Sequence, residues 1–195
     1  RRGPMIPVFQ TRTATEELSQ FYEIDPAMVA IARNPRDFTF LSRCLPDADI
    51  VVGDARIMLA REPAAGADLL VIDAFSSDSI PMHLLTREAL ALYLAKLTPQ
   101  GLLAFDISNR HLELEPVLGN LAAAEGLVGV ARLDTPPSDA APYGKSSSSW
   151  VVLARHPAAL RTLMTDARWH PLARQPQTAP WTDGFSNIMS AFRWK

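Results

Sequence analysis

The sequence predicts an α/β fold in which helices cover both faces of a parallel sheet. Apolar runs alternate with helical patterns of about ten residues, the signature of successive strand–helix units. Several runs are short and unbroken, above all Leu69-Leu70-Val71-Ile72 and Leu102-Leu103-Ala104-Phe105, as in strands buried on both faces. Three strands end in or just before an acid: Glu23, Asp54 and Asp73. In an open parallel sheet such ends share one rim, where ligands bind.

The elements follow in order. Met5 to Gln10 reads as a strand, weakened by Pro7, and Thr13 to Leu18 as a short helix. Phe21 to Ile24 is a strand by its aromatic and β-branched content. Asp25 is an N-cap and Pro26 a first helical residue, opening a helix that runs through Arg33 and stops before Pro35. Phe38 to Leu41 and Ile50 to Val52 read as strands, and Ala55 to Arg61 as a helix. Ala67 to Asp73 is the central strand. Thr86 caps a helix reaching about Leu97, with Leu90, Tyr93, Leu94 and Leu97 on one face. Pro99-Gln100-Gly101 is a turn before the strand Leu102 to Ser108. Glu113 to Glu125 is a helix closed by Gly126, Leu127 to Leu133 a strand, and Thr135 to Gly144 a loop. Ser146 to Ser149 lead into a strand at Trp150 to Leu153, and Ala158 to Ala167 is helical.

With 195 residues, 48% of them apolar, one domain with a sizeable core is expected over 1–195. A net charge of −2 with scattered arginines argues against nucleic acid as the partner. The single cysteine, Cys44, excludes an internal disulfide and fits a reducing, cytoplasmic setting; it is expected as a small buried residue. No apolar run has the roughly 20 residues of a membrane helix.

The rim acids suit a nucleotide ligand. Glu23 at a strand end can accept both ribose hydroxyls, Asp54 can accept from the exocyclic amine of a base, and Asp73 and Asp78 stand near the reacting end. Each acid also has a plainer reading. Asp54 is a helix cap for Ala55 to Arg61, Asp73 a strand-end acid bonded to loop amides, and Glu23 a solvated rim acid. His83 is a loop histidine close to the acids, and His111, His156 and His170 lack metal-ligand spacing. Ser76-Ser77 has no G-x-S-x-G context. Trp181 and Tyr143 are either pocket walls or packing.

The segments FYEIDP, VVGDAR, LLVIDAFSSDSIP with HLLTREAL, DISNR and WTDGFSN, spanning Phe21 to Asn187, resemble the spermidine synthase-like proteins. In particular they resemble the bacterial subgroup in which this domain follows membrane helices. The resemblance implies a Rossmann-like class I S-adenosylmethionine-dependent methyltransferase fold, atypical over residues 1–20 and incomplete at its amino-terminal side. It implies aminopropyl transfer from decarboxylated S-adenosylmethionine to an amine such as putrescine, without a metal. Glu23 then holds the cofactor ribose, Asp54 lies near the adenine amine, Asp73 takes the proton of the attacking amine, and Asp78 helps hold the polyamine cation. A homodimer is compatible with this reading.

The chain also departs from its relatives. Thr11 to Gln20, TRTATEELSQ, contains no glycine where they carry a glycine-rich loop, and Asp106 stands where they often carry histidine. A methyltransferase of small molecules, or a catalytically impaired cofactor-binding or structural domain, are the alternative readings.

Overall fold

A computed structural model describes residues 8–11, 19–73, 81–136 and 147–193. They build one eight-stranded sheet in the order β3-β2-β1-β4-β5-β7-β6-β8. The strands are β1 (Val8–Thr11), β2 (Ser19–Glu23), β3 (Asp49–Val52), β4 (Ala67–Ile72), β5 (Leu97–Asp106), β6 (Val128–Asp134), β7 (Ser148–Ala154) and β8 (His170–Pro171). The expected parallel pairing holds for β2 with β3 and for β4 with β5. It fails at β7 and β8, which pair antiparallel, and at β1, which runs antiparallel to both β2 and β4. The reason at β1 is length. β1 ends at Thr11 and β2 begins at Ser19, so seven residues join them, whereas a parallel crossover takes a dozen or more. The helix expected at Thr13 to Leu18 lies outside the described residues.

Side-chain caps start most of the longer helices. Asp25 accepts from Ala27 N–H to open α1 (Pro26–Arg33). Asp54 accepts from Ile57 N–H to open α3 (Ala55–Arg61). Thr86 Oγ1 accepts from Ala89 N–H to open α4 (Arg87–Lys96). Such a cap satisfies one of the amides that a helix start leaves without an intrahelical partner. α5 (Glu115–Ala124) begins without one, with Pro116 in its first turn. At the other end of α3, buried Lys96 donates to the carbonyls of Ala60 and Glu62, a cation where the helix dipole is negative.

Several segments differ from the sequence expectation. Phe38 to Leu41, expected as a strand, gives way to a short helix, α2 (Phe40–Cys44). Phe38, Leu41 and Leu45 all pack into the cluster around Phe21 and Ala32, and their spacing of three and four residues is helical. Cys44, expected to be buried, is exposed at the end of α2. Pro99 to Gly101 do not break the chain. β5 runs through them, and the irregularity appears as a register shift in its pairing with β4 between Ala67 and Leu69. Ala158 to Ala167 forms two short 3₁₀ turns, Pro157–Leu160 and Leu163–Thr165, rather than one helix. Thr165 Oγ1 donates to the Thr162 carbonyl and Asp166 accepts from Arg168 N–H, local bonds that compete with a helical ladder.

The unbroken run in β4 is buried on both faces, as its composition predicts. Leu70 and Ile72 enter the main core with α3, α4, α5 and Trp181, while Leu69 and Val71 face a second cluster with Ala104, Val130, Val152 and Leu160. The chain after β8 returns across α5. Asn120 Nδ2 donates to the carbonyls of Gln175 and Thr178, and Gln175 N–H donates to Asn120 Oδ1. Glycine at 119 permits this approach, since a Cβ there would lie 1.9 Å from the Ala173 carbonyl oxygen.

Candidate functional site at the acidic rim

Strand register brings the predicted acids to one edge. Glu23 pairs with Val52 across β2 and β3, so Asp54 stands two residues beyond that pair. Ile72 pairs with Phe105, so Asp73 and Asp106 continue side by side, on strands about 4.8 Å apart. Val8 pairs with both Tyr22 and Ile72, which puts the amino-terminal end of β1 on the rim between Glu23 and Asp73. Thr11, at the other end of β1, lies level with Ser19 and Leu69 at the opposite edge. A glycine-rich loop delivers a cofactor to this rim when it follows a parallel first strand; here the strand in that slot is reversed.

Each described acid has a defined setting. Glu23 is only 4% exposed, and its Oε1 accepts from Asp25 N–H at 2.9 Å. Burial raises its pKa above the ordinary glutamate range, against the pull of the Asp25 and Ile24 amides. It is therefore not the solvated rim acid of the plainer reading. Beside it, Ile24 and Val52 are exposed at the ends of β2 and β3, an apolar shelf next to a buried carboxylate. Gly53 takes φ of 153°, a conformation side chains disfavour, and so turns the chain from β3 into the Asp54 cap. Asp54 does serve as a helix cap through Oδ1, while its Oδ2 stands 3.3 Å from His83 Nε2. Each carboxylate oxygen keeps a second lone pair. Asp73 is partly buried at the end of β4. Asp106 is 9% exposed, and its Oδ1 accepts from the amide and hydroxyl of Ser108. Asp78, Ser76, Ser77 and Tyr143 lie outside the described residues. Trp181 is 1% exposed within the main core and acts as packing.

A polar network adjoins Asp54. Arg56 grips the Asp183 carboxylate with both terminal nitrogens, at 2.7 and 2.6 Å, and donates to the His83 carbonyl at 2.8 Å. Thr86 Oγ1 donates to Asp183 Oδ1, and Asp183 N–H donates to Glu88. Hydrogen bonds from Arg56 and then Thr86 hold the Asp183 pKa down at about 2. Arg56 and Asp183 were both legible as members of the segments VVGDAR and WTDGFSN, but their pairing across 127 positions was not. An open groove of about 630 Å³ flanks the network, lined by Asp54, Arg56, Ile57, His83, Glu88 and Leu92. It shares Asp54 with the rim but neither Glu23 nor Asp73. Among the described residues no three His, Cys, Asp or Glu side chains are placed to hold a metal ion, and no helix is long and apolar enough to cross a membrane.

No protein-family model matches the chain, and no curated protein matches its sequence. Solved structures do match. The chain superimposes on a probable spermidine synthase from Corynebacterium glutamicum with a TM-score of 0.55 at 16% identity, over 87% of this chain and 64% of that one. Spermidine synthase from Thermotoga maritima gives 0.50 at 16% identity, over 73% and 47%. The fold is the Rossmann-like fold of the class I methyltransferases. Human methyltransferase-like protein 13, solved in complex with SAH, aligns with a TM-score of 0.48 at 18% identity, over 75% of this chain and 71% of that one. The chain spans less than two thirds of the length of the two spermidine synthases.

Proposed function

We propose that the chain is a transferase acting on an S-adenosylmethionine-type nucleoside, and that it moves the aminopropyl group of decarboxylated S-adenosylmethionine to an amine such as putrescine. The observation that carries this reading is the register that gathers carboxylates from β2, β3 and β4 along one rim. Glu23 accepts from the ribose hydroxyls, the base lies on the apolar shelf of Ile24 and Val52, and Asp54 accepts from the exocyclic amine. Asp73, with Asp78, binds the cationic acceptor through charge-assisted hydrogen bonds.

In the step itself, Asp73 removes a proton from the attacking ammonium, and the freed nitrogen forms a bond to the aminopropyl carbon next to sulfur. That carbon–sulfur bond breaks and its electron pair stays on sulfur, so the sulfonium leaves as neutral 5′-methylthioadenosine. A positive leaving group becoming neutral needs no Lewis acid. Holding nitrogen, carbon and sulfur in line supplies much of the acceleration.

The test is incubation with putrescine and decarboxylated S-adenosylmethionine, reading spermidine and 5′-methylthioadenosine by mass spectrometry. Equimolar appearance of both supports the proposal, and their absence beside an active control enzyme overturns the catalytic part. Calorimetry comparing S-adenosylmethionine with its decarboxylated form separates this reading from methyl transfer. One observation favours a second reading, a nucleoside-binding domain with impaired catalysis. β1 runs antiparallel to β2 and β4, so its carboxyl end, Thr11, lies at the edge opposite Glu23. Under that reading a nucleoside raises the melting temperature while no product forms. Ligand at 100 times its dissociation constant stabilises by about 2.7 kcal/mol, well within detection.

A further inference from the structure

We propose that Asp183, on the carboxy-terminal strap, is a positioning residue for recognition of the adenine amine; this rests on the nucleoside reading given above. The WTDGFSN segment lies far from the strand-end acids in sequence, and no step of the proposed transfer uses it. Its acid nevertheless governs the surroundings of Asp54 through a short chain of contacts.

Asp183 fixes the guanidinium of Arg56 with two parallel hydrogen bonds, the geometry a carboxylate and an arginine share best. The oriented Nη1 then also donates to the backbone carbonyl of His83. That carbonyl is held on one side while the imidazole Nε2 of the same residue stands 3.3 Å from Asp54 Oδ2. Asp54 Oδ1 is already engaged by Ile57 N–H. Both carboxylate oxygens of Asp54 thus have a neighbour that fixes their plane, and one of the two depends on Arg56 and Asp183.

The strap is itself anchored. Thr86 Oγ1 donates to Asp183 while accepting from Ala89 N–H, so the α4 cap and the strap share one hydroxyl. Asp183 N–H donates to Glu88, and Arg87 N–H donates to the Trp181 carbonyl, beside the fully buried indole. The clamp therefore ties three segments to one point: the start of α3 with Asp54, the turn with His83, and the tail. A surface ion pair without function would need neither the third bond to His83 nor the shared cap. Removing the Asp183 charge frees Arg56 to swing, releases the His83 carbonyl and lets the Asp54 carboxylate rotate about its cap bond.

The readout is selectivity for an amine over a carbonyl at one ring position, which a loss of overall stability does not change. Dissociation constants for 5′-methylthioadenosine and 5′-methylthioinosine are measured by calorimetry on the wild-type protein and on Asp183→Asn. Wild type prefers the adenosine compound by about tenfold to a hundredfold, the range for a hydrogen bond to a charged group. Asp183→Asn brings the ratio close to one, as Asp54→Asn does directly, while 5′-methylthioinosine binds within about threefold of its wild-type affinity. If Asp183→Asn does not remain folded at the titration temperature, Arg56→Lys, which keeps the charge and loses the fork, carries the same expectation. Retention of the full preference in a folded variant overturns the inference and leaves the nucleoside reading standing. Failure of the wild-type protein to bind either compound overturns both.

Discussion

Gly119→Ala tests whether the carboxy-terminal tail, which carries Asp183, docks on α5 as described. The new Cβ would lie 1.9 Å from the Ala173 carbonyl oxygen, a backbone atom that cannot rotate away. A close carbon–oxygen contact is about 3.3 Å, so the tail must retreat by about 1.4 Å. Four hydrogen bonds straddle that contact: Ala173 N–H to Glu115, Gln175 N–H to Asn120, and Asn120 to the carbonyls of Gln175 and Thr178. At about 1 kcal/mol each they amount to about 4 kcal/mol, against about 1 kcal/mol gained by replacing glycine with alanine inside a helix. The net expectation is a loss of about 3 kcal/mol, which lowers the melting temperature of a chain this size by about 6–12 °C. Thermal unfolding followed by circular dichroism reads this directly. An unchanged or higher melting temperature, the result of helix propensity acting alone, would refute the docked tail.

Other perturbations probe the rim. Glu23→Gln removes a carboxylate whose pKa is raised by burial, so it raises the melting temperature at pH 8. The sign follows from the direction of the shift. The ionised form destabilises the fold above the folded pKa, and that penalty is gone below the ordinary value of 4.5, so the gain over wild type vanishes by about pH 4. A gain that persists unchanged at pH 4 would contradict the burial argument. Gly53→Ala forces a side chain into a φ of 153° and within 3.1 Å of Met58, costing about 1–3 kcal/mol in denaturant unfolding; no loss would mean the turn into Asp54 is not strained. The Asp183 carboxyl, held down by Arg56 and Thr86, is expected to titrate at about 2 when followed by carbon-detected nuclear magnetic resonance. The clamp is thus intact above pH 4 and lost as the pH falls towards 2, whereas a midpoint near 4 would show that Asp183 does not hold Arg56 in solution.

The local signals in the chain were strong where one short segment settles its own conformation. Asp25-Pro26, Asp54 and Thr86 announce helix starts because a cap needs only the next three residues. The unbroken run of β4 announces a strand buried on both faces for the same reason. Phe38 to Leu41 misled because its aromatic and branched residues favour a strand, while the spacing of Phe38, Leu41 and Leu45 that decides the matter is helical. Strand direction was harder. The parallel reading of the whole sheet came from the alternation, but β1 is fixed by the seven residues available to reach β2, a geometric limit rather than a pattern. Along the rim, the placement of Glu23, Asp54 and Asp73 was legible because strand ends converge in any such sheet. Asp106 was visible only as a departure from relatives, and its place beside Asp73 needed the register of β4 and β5. The Arg56–Asp183 grip joins residues 127 positions apart, and no local pattern encodes such a contact.

The most direct measurement of the central claim is the rate of spermidine formation from putrescine and decarboxylated S-adenosylmethionine by the wild-type protein and by Asp73→Asn, with nucleoside affinity measured alongside. Turnover in the variant is expected to fall by about 10²–10⁴, the range for loss of a general base. The dissociation constant for 5′-methylthioadenosine is predicted to stay within about threefold. Equal rates in the two proteins, or no spermidine from either, would contradict it.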